Sequence, residues 1–189
     1  MLNRFTKFQI ATAIAVLFHT IGLVGLLWFD KAFFLAATPF NLMLSFALLI
    51  WTQQEKKLHF IIFFTACFLV GVTVEIIGIN TGFLFGDYTY GDVLGYKFQK
   101  VPLLIGINWF IIIYCSGISI HTLLMKAINR VASYTGKTPA TLKALSVIVD
   151  GATLAVFFDW LMEPVAVKLG YWVWNGDGSI PLFNYICWF

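Results

Sequence analysis

Four acidic residues fall in or at the ends of long apolar runs: Glu75, Asp150, Asp159 and Glu163. Ionisable groups at membrane depth are costly and are functional candidates by default. Asp159 and Glu163 are four residues apart, which puts both on one face of a helix. Glu75 lies about one turn before the end of its apolar run, and Asp159 and Glu163 lie in the last turns of theirs, so all three reach a similar depth. Asp150 sits about half a turn out of phase with Asp159 and more than about 13 Å deeper along the axis, in a different environment. It reads as a site acid or as a buried polar link between helices. Carboxyls held in dry, aromatic-rich surroundings tend to stay protonated at neutral pH, and a protonated carboxyl is a general acid. The alternative for each is an acid hydrogen-bonded or snorkelling at a helix end, and for Glu163, next to Pro164, both readings stay open.

The segments that follow these acids echo each other. After Glu75 the chain reads GFLFGDYTYGDVLGYKFQKVPLLIGINW, and after Glu163 it reads GYWVWNGDGSIPLFNYICW. Each has a glycine, alternating aromatics (Phe83, Phe85, Tyr88 and Tyr90; Tyr171, Trp172 and Trp174) and a Gly/Asp turn. Each then closes with Pro-Leu and a Trp, Pro102 to Trp109 and Pro181 to Trp188. Proline suits the first turn of a helix, glycine supplies tight turns, and alternating aromatics suit short strands or a membrane interface. The two segments therefore predict two similar helix-loop-helix units, repeated about an axis along the membrane normal. Asp87 is a turn former or a partner that handles water. Asn108, beside Trp109, hydrogen-bonds either a site carboxyl or a neighbouring helix.

The elements that must carry these residues are transmembrane helices. Of 189 residues, 60% are hydrophobic and 11% charged, against about 25% charged in soluble domains. A span needs roughly 20 apolar residues, and five segments qualify: 8–28, 33–51, 59–79, 101–124 and 143–163. A sixth begins at Pro181, and its nine residues reach only about 14 Å, which reads as a truncated helix. The expected architecture is one all-α domain over 1–189, a polytopic bundle of five full spans and the start of a sixth. Basic residues divide eight against four in favour of a cytoplasmic N-terminus, with loops 80–100 and 164–180 on the outer side of the cell membrane. Segment 125–142 is then the main cytoplasmic loop, plain or lying along the headgroups as a short amphipathic helix that ends at Gly136 and restarts at Pro139.

Other chemistries find less support. The net charge of +3 forms no basic stripe, so no nucleic-acid partner is expected. Cys67, Cys115 and Cys187 lie in apolar runs, and His19, His59 and His121 are isolated, so no metal site is expected from spacing. Arg4 and Lys7 precede a run too long for a signal peptide. Asp159 and Glu163 sit at the spacing of the paired acids of membrane prenyltransferases, but a second acidic cluster and basic diphosphate ligands are missing. No span is broken at its midpoint as in transporters.

The paired signature resembles one family. Residues 71–189 carry E-x-x-G-x-x-T-G from Glu75, F-G-x-Y-x-Y from Phe85, then V-P-L and Trp109. They continue with D-x-x-x-x-P from Asp159, W-x-W, P-x-x-N ending at Asn184, and a final Trp. This resembles the integral-membrane carotenoid biosynthesis proteins typified by bisanhydrobacterioruberin and gamma-carotene hydratases. Lys100 stands where a glycine is expected. The resemblance implies an enzyme that adds water across a terminal isoprenoid double bond of an acyclic or monocyclic carotenoid, without a cofactor. Its partners would be the carotenoid, membrane lipid and other carotenoid biosynthesis enzymes.

The residues suit that chemistry. Glu75 or Asp159 would protonate the alkene, and Glu163 or Asp87 would assist with water. The faces of Phe85, Tyr88, Tyr90, Trp109, Trp172 and Trp174 would stabilise the tertiary cation. Asn108 and Asn184 complete the expected binding residues. The alternatives are a cyclase or isomerase using the same protonation, and a non-catalytic membrane protein that binds carotenoid or organises an assembly.

Overall fold

The computed structural model of the chain describes residues 5–135 and 139–189. Helix α1, Lys7–Trp28, starts at a capping box in which Thr6 and Gln9 each accept from the other's backbone N–H. Helix α2, Lys31–Ala36, is capped by Asp30, which accepts from the Phe33 N–H. Helix α3, Thr38–Thr52, follows at once with proline in its first turn. Helix α4 runs Leu58–Thr81, α5 runs Leu104–Thr135, α6 runs Ala140–Leu169 and α7 runs Leu182–Trp188. The chain is an all-α polytopic bundle, and α5 packs between α4 and α6 while α1 leans on α2 and α3.

Among the described residues, four helices are long and apolar enough to cross a membrane: Lys7–Trp28, Leu58–Thr81, Leu104–Ile128 and Ala140–Leu169. The expected span 33–51 is divided between α2 and α3. Pro39 has no N–H to offer the Leu35 carbonyl, and its ring crowds the preceding turn. What remains continuous is 15 residues, about 22 Å of helix. The expected loop 125–142 is mostly helix, because α5 runs on to Thr135 and α6 starts at Ala140; Gly136 and Lys137 lie outside the described residues. Pro164 does not end α6, which continues to Leu169. The stretch expected to begin a sixth span is the short α7.

The two echoing segments meet each other. Strand β1, Tyr88–Tyr90, pairs antiparallel with a strand of the second segment, Trp172–Trp174. In that ribbon Tyr88 lies opposite Trp174, Thr89 opposite Val173 and Tyr90 opposite Trp172. Side chains alternate across a strand, so all four aromatics share the inward face while Thr89 and Val173 face out, exposed. Both helices leading into the ribbon end on left-handed glycines, Gly82 at φ 66° and Gly170 at φ 77°. The Gly91 N–H donates to the Tyr171 carbonyl at 2.9 Å. A Cβ at Gly91 would collide with the Gly170 carbonyl oxygen, so only glycine permits this approach.

A second small hairpin precedes α5. Strands β2, Lys97–Phe98, and β3, Val101–Pro102, pair across a two-residue turn; the strand Trp172–Trp174 is β4. Gln99 has φ 50° and Lys100 φ 70°, the positive values that two-residue hairpin turns require and glycine best supplies. This gives a physical reason for the glycine expected at Lys100. The core lies at this end of the bundle and includes Phe85, Tyr88, Leu94, Val101, Trp109 and Trp174. Lys100→Gly relieves the left-handed penalty of about 1 kcal/mol, so the variant should show a higher thermal midpoint in detergent.

Candidate active site

Three carboxyls converge beneath the aromatic ribbon. Glu75 is 5% exposed, Glu163 2% and Asp159 0%. Glu75 comes from α4, and the other two come from successive turns of α6. Each is met by donors from another element. Tyr88 Oη and Tyr90 Oη both donate to Glu75 Oε2, the latter at 2.8 Å, and Trp109 Nε1 donates to Oε1 at 3.0 Å. Trp172 Nε1 and Trp174 Nε1 donate to Glu163 Oε2 at 3.0 and 2.9 Å. Asn184, from the first turn of α7 and itself 2% exposed, donates to Asp159 Oδ2 at 2.7 Å and to Glu163 Oε1 at 3.3 Å. Asp159 Oδ1 is buried and has no hydrogen-bond partner among the described residues.

The ribbon is therefore the donor plate of the site. Tyr88 and Tyr90 alternate with Thr89, and Trp172 and Trp174 with Val173, so period-2 geometry aims four polar tips at the helix ends. Burial first, then the adjacent Glu75 carboxyl, push both phenols well above the ordinary tyrosine range. Both factors disfavour a phenolate, so both groups remain O–H donors. In the described residues the ion pairs are Lys57 with Glu55 and Lys97 with Asp92, both away from the three acids.

The acids and the aromatics enclose a cavity of about 30 Å³, room for one or two water molecules. Phe85, Asn108 and Trp188 also line it. Trp188 stacks on Trp109 with centroids 4.3 Å apart and planes 14° from parallel. Phe85 has φ 64° and is buried against Trp109, a strained conformation of the kind that clusters at functional sites. A larger cavity of about 280 Å³ adjoins. The two share Ile105, Asn108, Met162 and Trp172 as their common wall.

The structure brings together Glu75, Asp159, Glu163, Phe85, Tyr88, Tyr90, Asn108, Trp109, Trp172, Trp174 and Asn184 around the small cavity. Asp87 is not among them. It is exposed on the outer edge of the ribbon, where Asn175 donates to its carboxylate at 2.6 Å and to its carbonyl at 2.9 Å. Asp87 is thus a clasp between the two segments. Asp150 likewise lies outside both cavities.

Trp188, Ile105 and Met162 were not singled out from the sequence as site residues, though Trp188 closes the second Pro-to-Trp unit. A spacing signal was also available. Glu75 and Glu163 each stand seven residues before a left-handed cap glycine, Gly82 or Gly170. The two glutamates are thereby equivalents in the repeat.

Residues 32–189 match the family of carotenoid biosynthesis proteins. The chain is 26% identical to the bisanhydrobacterioruberin hydratase of Haloarcula japonica over 200 aligned residues, covering 98% of this chain and 60% of that protein. No solved structure matches the chain. The long apolar helices are those of a multi-pass membrane protein. The chain belongs to the carotenoid biosynthesis protein family.

Asn184→Ala leaves Asp159 without its amide donor, and losing a buried partner costs about 1–3 kcal/mol. A matching fall in the thermal midpoint in detergent is expected. Below about pH 10, the ordinary tyrosine value, the stability that Tyr88 and Tyr90 contribute as neutral donors is complete, and it declines above that pH. Phenolate absorbance should show the pair resisting ionisation through that range, and the Tyr88→Phe, Tyr90→Phe double variant should lose this resistant fraction.

Proposed function

We propose that the chain hydrates a terminal isoprenoid double bond of a carotenoid by acid catalysis, with Asp159 as the proton donor. The observation that carries this reading is the buried, unpartnered Oδ1 of Asp159 beside a water-sized cavity. Three carboxyls grouped without a cation do not all hold charge. Three donors on each glutamate favour their charged forms, whereas Asp159 has one donor and one bare oxygen. The shared proton therefore belongs on Asp159 Oδ1.

The steps follow from that distribution. Asp159 Oδ1–H adds its proton to the less substituted alkene carbon, and the π pair becomes the new C–H bond. The tertiary cation left behind faces the indoles of Trp109 and Trp188, whose π clouds attract cations. The charged Glu75 and Glu163 add electrostatic stabilisation. A water in the small cavity attacks the cation through its oxygen lone pair. Its surplus proton passes to a carboxylate of the cluster, which restores the proton count and leaves a tertiary alcohol. The room for water favours hydration over ring closure, in which the polyene itself would capture the cation. We place the N-terminus in the cytoplasm and the aromatic ribbon at the outer face, on the balance of basic residues.

The test is production of the chain, and of Asp159→Asn and Glu163→Gln, in a host that accumulates acyclic carotenoids, with mass analysis of the pigments. Wild type should add one water per reacting end. Asp159→Asn should lose product by about a hundredfold or more, the usual contribution of a general acid, while still inserting into the membrane. Glu163→Gln should retain partial activity. Full activity of Asp159→Asn would overturn the assignment of the donor, and a product of unchanged mass would favour cyclisation or isomerisation.

A further inference from the structure

The 30 Å³ cavity is room for one or two water molecules and has no space for a polyene. A carotenoid is long, stiff and apolar, so the reading above requires somewhere for the molecule to lie. The 280 Å³ cavity lies against the first, with Ile105, Asn108, Met162 and Trp172 lining both. At its other end it shares His19, Thr38, Asn41 and Tyr171 with a third cavity of about 470 Å³. That third cavity runs between α1 and the α2–α3 break, with Phe18, Phe33, Phe34 and Phe40 among its walls.

From these adjoining spaces we infer that the cleft between α1 and the broken α2–α3 pair is the binding channel for the polyene chain, reached sideways from the lipid. This rests on the hydration reading for the identity of the reacting end. The third cavity spans Phe18 to Leu26 of α1, about 12 Å of helix axis, and the second spans Met162 to Leu169 of α6, about 10 Å more. The lining is aromatic and aliphatic for most of this course, which suits a flat conjugated hydrocarbon. At the junction Thr38 Oγ1 and Tyr171 Oη are 2.7 Å apart, while Asn41 Oδ1 is buried without a hydrogen-bond partner among the described residues. His19 is turned onto its own helix, with Nδ1 2.8 Å from the Ala15 carbonyl.

The break in the second hydrophobic run then has a use. Pro39 sets α2 off from α3, and the cleft opens beside that break, with Ala37 and Thr38 in its wall. Thr38 and Tyr171 tie the break to the loop that carries β4, so the channel wall and the donor plate share one hydrogen bond. A straight helix through residues 33–51 would have no such notch.

Gly22 provides the test. It lines the third cavity, and a Cβ built there meets nothing within 4 Å, so a large side chain would enter the channel before it displaced a neighbour. The full chain would be reconstituted in phosphatidylcholine nanodiscs, with lycopene as the long probe and 2-methylhept-2-ene as a short alkene of the same terminal type. Lycopene retained per protein is read by absorbance, and hydrated products are read by mass. Gly22→Trp should lower lycopene retention about tenfold and depress lycopene turnover far more than short-alkene turnover, while Gly22→Ala, too small to block, should retain lycopene. Leu26→Trp, from the same helix wall, provides a second block if Gly22→Trp fails to insert.

Undiminished lycopene retention in the blocked variants would overturn the channel, as would equal losses for long and short substrates. Loss of retention in a protein that hydrates neither probe would leave the channel standing and remove the hydration reading instead. Displacement of lycopene by excess phosphatidylcholine alone would identify the cleft as a general acyl-chain site and also overturn the inference.

Discussion

A charged carboxylate buried in a hydrocarbon-walled bundle must be met by donors or by a cation. Here the donors are neutral: two phenols, three indoles and one amide converge on three carboxyls. Hydrogen bonds to charged groups contribute about 1.5–3 kcal/mol each, enough to govern how the neighbouring chain folds. A loop could not hold four such tips at a common depth. A paired ribbon can, because its pleat sends alternate residues to one face. The β1–β4 pairing, the close approach at Gly91 and the Asp87–Asn175 clasp all serve to hold that plate over the helix ends.

The depth of the acids was legible in the sequence because helix phase is arithmetic. Asp159 and Glu163 share a face by spacing, and Glu75 reaches their level by its distance from the end of an apolar run. That the aromatics share one face was legible for a similar reason, since alternation marks one face of a strand. Their pairing was not, because β1 and β4 lie more than eighty residues apart and local pattern carries no register between distant segments. Asp87 stays open in the sequence, as turn former or water-handling partner, because the two look alike until its partner, Asn175, is known.

The helix boundaries show where tertiary context overrides local signals. Pro164 sits inside α6 although proline usually ends a helix, whereas Pro39 separates two helices inside an equally apolar run. Hydropathy windows average over a break of one residue, so 33–51 reads as continuous. The polar stretch after 124 reads as a loop by composition, yet α5 continues through it to Thr135. Composition reports which solvent a segment meets, and only secondarily its backbone shape.

The repeat explains why three acids divide into two kinds. Glu75 and Glu163 occupy equivalent positions before Gly82 and Gly170, and each takes donors from the strand of its own half. Trp109 and Trp188, also equivalent, stack against each other where the halves meet. Asp159 has no acidic counterpart. The matching position in the first half is Gly71, where a Cβ would lie 2.6 Å from the Trp109 ring. Asn184 likewise corresponds to Ile105. In one half, then, an indole covers a glycine beside an isoleucine; in the other, an aspartate and an asparagine face each other at 2.7 Å. The symmetric pair anchors the donor plate. The departure from symmetry creates a buried carboxyl with one oxygen that has no hydrogen-bond partner among the described residues.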